Sequence, residues 1–185
     1  MSSFTDHFLR INNLQEDFQS WHFQPGMAFG SPDLWWGQRK PRPCKHEGLD
    51  LAFYLDQHGQ SRSLPASANF GPLIDGIVIK IFDDFLGKSI LIHHPNYDQG
   101  QIYSIFGHTN PLPHLQAGCK VSMDKSIGSI ANFTPKIHGP LPHLHLSFFK
   151  LSTDLSPLSL NWSMLSNSGK VLLVDPLKML YTKFP

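Results

Sequence analysis

The segment 76–106, GIVIKIFDDFLGKSILIHHPNYDQGQIYSIF, contains three runs of β-branched and aromatic residues separated by turn residues. The runs are Gly76–Phe82, Ser89–His93 and Gln101–Phe106. Each has the length and composition of a β-strand. Asp83-Asp84 and Pro95-Asn96 lie between the runs and favour turns. Because no helical pattern intervenes, the segment predicts antiparallel β-structure.

Further alternating apolar residues lie on both sides of this segment. They are Leu49, Leu51 and Phe53 before it, and Leu144, Leu146, Phe148 and the run Val171–Val174 after it. Short, closely spaced strands of this kind predict an all-β domain of antiparallel sheets. The Ser/Leu/Asn-rich segment 151–168 is predicted to be a long connection, and Asp175-Pro176 begins a C-terminal tail.

The first 43 residues have a different character. Apolar residues recur at spacings of three and four, which predicts a helix within residues 1–20; they are Phe8, Ile11, Leu14 and Phe18. Residues 21–43, which we call the lead-in, combine aromatic residues with many Pro and Gly and predict loops that wrap the domain. The sequence therefore divides into an extension, residues 1–43, and a β-domain, residues 44–185.

The composition excludes several classes of protein. The 185 residues include 15 Lys and Arg against 14 Asp and Glu, and this balance argues against nucleic acid as a partner. No apolar run approaches the ~18–20 residues of a transmembrane helix, and no signal peptide is visible. The two cysteines, Cys44 and Cys119, either pair or stay free. The 11 histidines indicate a histidine site, since imidazole binds metals and transfers protons near neutral pH.

Two short fragments carry the candidate chemistry. In KHEGLD, residues 45–50, His46 and Asp50 are an even number of positions apart and would share one face of an extended segment. The apolar residues that follow would take the opposite face. This places His46 and Asp50 on the open side, with Gly48 leaving room between them.

The second fragment is PHLHLSFF, residues 142–149. His143, His145 and Ser147 would share one face of a strand, and the apolar residues the other. The two fragments thus contain His46, His143, His145 and Asp50. Two histidines and one carboxylate form a common catalytic zinc set.

Spacing alone does not distinguish a zinc site from a chance match. His94 and Asp98 repeat the H-x-x-x-D spacing in a turn-like stretch, and we interpret them as a decoy. Cys44 is interpreted as structural, and Glu47 is rejected as a general base because alternation turns it away from His46. The other histidines interpreted as structural or solvated are His58, His93, His114 and His138.

From about Cys44 to Pro176 the chain resembles the lysostaphin/LytM family of zinc endopeptidases. Seven landmarks follow the family's order: His46–Asp50 resembles H-x-G-x-D, Gly71–Val78 resembles D-G-x-V, Ile90–His94 resembles V-x-I-x-H, Ile105–His108 resembles Y-x-H-L, Gly118–Gly128 resembles G-x-x-V…I-G, His143–His145 resembles H-L-H-F, and Val174–Pro176 resembles the late D-P. The sequence departs from the pattern at Phe106, Thr109 and Leu146, and its loops at 56–69 and 132–140 are longer.

The resemblance implies the duplicated hybrid motif fold, an open, barrel-like β-sandwich. It also implies one zinc ion per chain, bound by His46, Asp50 and His145, with His108 and His143 as the catalytic histidines. The implied reaction is hydrolysis of peptide bonds in peptidoglycan cross-bridges or stem peptides. The implied compartment is the cell envelope, periplasmic or extracellular, although no signal peptide is visible.

Two other functions are compatible with the same residues. One is a non-catalytic module of this fold that binds cell wall or activates a partner hydrolase. The other is a self-inhibited enzyme whose lead-in covers the cleft. No sequence pattern indicates the oligomeric state.

Overall fold

The strands of the protein form two antiparallel sheets. The computed structural model describes residues 4–38, 40–98, 102–167 and 169–180. The helices are α1 (Phe4–Ile11), α2 (Trp162–Asn167) and α3 (Pro176–Leu180). The strands are β1 (Phe18–His22), β2 (Leu49–Leu51), β3 (Phe53–Asp56), β4 (Ser61–Ser63), β5 (Asn69–Phe70), β6 (Gly76–Asp83), β7 (Lys88–His94), β8 (Ile102–Pro111), β9 (Lys120–Val121), β10 (Gly128–Ile130), β11 (Leu144–Leu151) and β12 (Val171–Val174). The described strands pair antiparallel and do not close into a barrel, which confirms the predicted fold class.

The large sheet has the order β12-β11-β8-β7-β6-β9. The three runs of the segment 76–106 form its strands β6, β7 and β8, as predicted; Gln101 lies outside the described residues. Strand β11 pairs with β8 along one edge and with β2 and β12 along the other. The small sheet has the order β1-β3-β4.

Apolar side chains cover both faces of the large sheet. On β7, Ile90 and Ile92 pack in the main core, whereas Leu91 packs in a second cluster on the opposite face. The second cluster includes Leu160 and Leu165, which come from the connection at 151–168. A strand buried on both faces has a continuous apolar run, which explains the sequence of β7. The connection also contains α2, and the tail begins with α3; the sequence pattern predicts neither helix.

The N-terminal helix is shorter than predicted. Helix α1 ends at Ile11, and Asn13 adopts the left-handed conformation with φ 55°. That conformation ends a helix and redirects the chain. Leu14 and Phe18 still pack against the main core, so their spacing predicted burial but not helix; Phe18 begins a strand instead. Residues 1–3 lie outside the described residues.

The chain changes sheets at Ala52. Leu49 and Leu51 belong to β2 and the main core, whereas Phe53 begins β3 and packs in a separate cluster with Met27. These three alternating apolar residues therefore belong to two short strands. The separate cluster lets the lead-in pack beside β2.

His94 is a buried histidine that the large sheet holds in its neutral form. Its Nδ1 lies 3.0 Å from the carbonyl oxygen of Asp75, and its Nε2 lies 2.8 Å from Ser104 Oγ. Burial lowers the pKa of His94 to about 4 from 6.5. As the pH falls, the unfolded chain therefore takes up this proton first, and stability is lost between the two pKa values.

We expect His94→Gln to reduce the acid sensitivity of the metal-free protein. The difference between pKa 6.5 and about 4 corresponds to about 3 kcal/mol in the free energy of unfolding of the wild type. Urea denaturation near neutral pH and at acid pH measures this loss. His58→Gln, at an exposed loop position, is the control and should behave as the wild type. An equal acid-induced loss in His94→Gln and wild type would contradict the prediction.

Candidate metal centre

Strand pairing brings Asp50 and His145 to the same point of the large sheet. His145 lies directly opposite Asp50 of β2 on one side and opposite Gly107 of β8 on the other. Directly opposed residues present their side chains on the same face. His46 lies just before β2, so the two fragments singled out in the sequence meet here.

Three donor atoms converge at this point. His46 Nε2 lies 3.3 Å from His145 Nδ1 and 3.4 Å from Asp50 Oδ1, and the latter two atoms are 2.9 Å apart. Tetrahedral zinc with ligands at 2.0–2.1 Å separates its donor atoms by about 3.3 Å, so the triangle has the size that zinc requires. All three residues are buried, and the prediction that His46 and Asp50 lie on an open side is wrong.

In His46 and His145, the ring nitrogen that does not face the triangle has a hydrogen-bond partner that suits a metal site. His46 Nδ1–H donates to the carbonyl oxygen of Ala28 at 3.2 Å, which leaves a lone pair on Nε2. His145 Nε2 lies 2.8 Å from Ser147 Oγ. Because a hydroxyl either donates or accepts, His145 Nδ1 can face Asp50 with a proton or face a cation with a lone pair.

Asp50 is ionised in this buried position. Burial by itself would raise the pKa of Asp50, but its electrostatic interactions with His46 and His143 and the hydrogen bond of His145 hold it well below its usual range. Burial also lowers the pKa of His145. A buried carboxylate beside neutral imidazoles is the charge state in which such residues bind a divalent metal.

His143 and His108 lie beside the triangle. His143 Nε2 is 3.6 Å from Asp50 Oδ1, and its ring centre is 4.8 Å from that of His108. His143 Nδ1–H donates to the carbonyl oxygen of Leu141 at 2.7 Å, which leaves Nε2 unprotonated. Burial lowers the pKa of His143 to about 4.

His108 is held by Asp84, a residue whose sequence context indicates only a turn. Asp84 Oδ1 accepts from His108 Nδ1–H at 3.1 Å, and Oδ2 accepts from the His108 backbone N–H at 2.8 Å. Burial would raise the pKa of Asp84, but its hydrogen bonds and electrostatic interaction with His108 lower it far below its usual range. His108 has φ 61°, a conformation costly for a non-glycine residue, and these bonds stabilise it.

A cavity of about 300 Å³ lies at the five residues. Three aromatic side chains form much of its wall: Trp36 of the lead-in, Phe85 and Trp162. Arg42 and Glu47 also line it, so Glu47 lies at the same cavity as His46, although alternation predicts that it turns away from His46. Side chains need not alternate at Glu47, because β2 begins only at Leu49.

Gly48 permits the close approach of the two fragments. A Cβ at this position would lie 2.3 Å from the carbonyl oxygen of Leu146 and 2.5 Å from His145 Nε2. Any side chain would displace β11 or the ring of His145, so the packing requires glycine here.

The remaining candidates lie away from this centre. Both cysteines are free. His94 bonds within the sheet, and Asp98 forms an ion pair with Lys150, so the decoy pair does not converge. Within the described ranges, the triangle is the only cluster of three side chains suited to a metal.

Solved structures share this fold. The catalytic domain of the antimicrobial peptidase lysostaphin from Staphylococcus simulans matches with a TM-score of 0.51 and 15% identity over 94% of this chain and 96% of that one. LytU matches with a TM-score of 0.50 and 20% identity over 83% of each chain. A solution structure of lysostaphin matches with a TM-score of 0.52 and 15% identity, and the chain covers 51% of its length.

No protein-family model and no curated protein matches the sequence. The structural likeness establishes that the chain has the lysostaphin/LytM-type fold, as its ordered motifs predict.

Proposed function

We propose that the chain is a zinc-dependent metallo-endopeptidase. The observation that carries the proposal is the buried triangle of His46 Nε2, Asp50 Oδ1 and His145 Nδ1, whose sides of 2.9 to 3.4 Å suit one zinc ion. The description of the matched lysostaphin domain as a peptidase supports the reaction class. Residues 44–185 would form the peptidase domain and residues 1–43 an extension.

The proposed substrates are peptide bonds in peptidoglycan cross-bridges or stem peptides. The motif resemblance supports this substrate class, and a cell-wall substrate would be met at the cell envelope, periplasmic or extracellular. No helix among the described residues is long and apolar enough to cross a membrane.

The five residues divide the chemistry between binding and proton transfer. Zinc in such a site acts as a Lewis acid that lowers the pKa of water towards ~7. His108 and His143 both hold Nδ1–H against an acceptor, which leaves Nε2 of each ready to take a proton and return it to the leaving amine. The aromatic side chains of Trp36, Phe85 and Trp162 line the cavity around them.

Elemental analysis and a hydrolysis assay test the proposal together. We expect one zinc per purified chain, and we expect hydrolysis of peptidoglycan or glycine-rich peptides that a chelator stops and added zinc restores. A chain that binds zinc but leaves these substrates intact would instead support the non-catalytic module. A chain that binds no zinc would overturn the proposed function.

Asp84→Asn should lower the rate of hydrolysis by about 10- to 100-fold while zinc content stays unchanged. The amide removes the charge that fixes His108 with its proton on Nδ1, but it does not touch the three proposed ligands. Asp83→Asn is a matched control, because the neighbouring Asp83 side chain is 85% exposed and pairs with Lys88. Equal rates in the two variants would contradict a role for Asp84.

A further inference from the structure

The lead-in contacts both proposed ligands of the first fragment. Besides the bond from His46 to Ala28, the His46 backbone N–H donates to the Ser31 carbonyl oxygen at 2.9 Å. The Asp50 backbone N–H donates to the Met27 carbonyl oxygen at 3.0 Å. This part of the lead-in therefore fixes the backbone from which both side chains extend.

The lead-in also reaches the carboxylate of Asp50. Trp35 Nε1–H donates to Asp50 Oδ2 at 2.8 Å, and both residues are buried. Asp50 Oδ1 is the oxygen that faces His46 and His145. The two oxygens of this carboxylate thus have different partners: Oδ2 accepts from the indole of Trp35, and Oδ1 faces His46 and His145.

No other side chain on the described residues holds Oδ2 as closely. Arg42 Nη2 is 3.7 Å away, beyond hydrogen-bond distance, and it donates to the carbonyl oxygen of Gly26 instead. The Trp35 ring also meets the ring of His143 edge to face, with centres 5.2 Å apart. Trp35 therefore touches both a proposed ligand and a proposed catalytic histidine.

We infer that Trp35 is a positioning residue of the metal centre, which occupies Oδ2 of Asp50 so that Oδ1 alone is presented to the ion. The inference rests on the proposed zinc site. Partners of this kind orient metal ligands, and their loss costs about 10- to 100-fold in metal affinity. The lead-in is then an integral part of the metal centre, not a removable cover over it.

Trp35→Phe tests this, with zinc affinity measured by competition against a chelator. We expect about 10- to 100-fold weaker zinc binding, because phenylalanine keeps an aromatic ring but lacks the N–H donor. Trp21→Phe is the matched control: Trp21 has the same 6% exposure, and its Nε1–H donates to Thr5 Oγ1 at 3.0 Å. Trp21→Phe should leave zinc affinity unchanged.

A second variant separates the effect of losing the Trp35 N–H donor from the effect of losing the packing of its ring. Incorporating 3-benzothienylalanine at position 35 keeps the bicyclic shape and replaces the N–H group by sulfur. Weakened zinc binding in this variant supports the inference even if Trp35→Phe does not fold. Unchanged zinc affinity in it overturns the inference, whereas a wild-type chain without zinc affinity overturns the proposed function.

Discussion

Replacing His145 with alanine is expected to remove both the metal and the activity. The imidazole supplies one corner of the three-atom triangle, and its loss leaves His46 and Asp50 with no third donor. Zinc sites with two protein ligands do not hold the ion tightly, and the proposed reaction depends on it. We expect no zinc in the purified variant and a rate of hydrolysis at background.

The control for this prediction is His58→Ala, at an exposed loop position. It should retain zinc and full activity. Circular dichroism and thermal unfolding of the metal-free proteins show whether His145→Ala still folds. A folded His145→Ala protein that retains zinc at the wild-type level would remove His145 from the ligand set.

Replacing His143 with alanine is expected to abolish most of the activity while the zinc stays bound. His143 lies outside the triangle, with Nε2 3.6 Å from Asp50 Oδ1, and its Nε2 lacks a proton. Removing a general acid–base group of this kind costs about 100- to 10,000-fold in rate. The rate and the zinc content of one preparation check both halves of the prediction.

The two histidine variants also test each other, because their positions differ by only two residues along one chain segment. Loss of zinc in both variants would contradict the division between ligand and catalytic histidine. Full activity in His143→Ala would assign the proton transfer to His108 alone.

The strands of the large sheet were predictable because their sequences carry local signals. β7 and β8 are dense in β-branched and aromatic residues, and turn residues separate them from their neighbours. The short helices α2 and α3 have too few residues to show a helical period, and packing on the sheet places them. The boundary between β2 and β3 was missed because nothing local marks Ala52 as the point where the chain changes sheets.

The proposed ligands were found through ordered motifs, whereas their surroundings were not. Strand register joins Asp50 to His145, and no spacing rule gives a register between segments this far apart. Nothing in the local sequence marks Asp84 or Trp35 as part of the site. Asp84 is typical of a turn, and Trp35 is one of several aromatic residues in the lead-in. Their contacts with His108 and Asp50 exist only because the fold brings distant segments together.

Strand β11 is paired on both edges, and this pairing protects its backbone amide protons from exchange with solvent. Its residues are hydrogen-bonded to β8 along one edge and to β2 and β12 along the other, so it has no free edge over most of its length. Amide protons in a central strand paired on both edges exchange through the openings of highest free energy, up to global unfolding. We therefore expect the amide proton of His145 to be among the slowest to exchange in the described part of the chain.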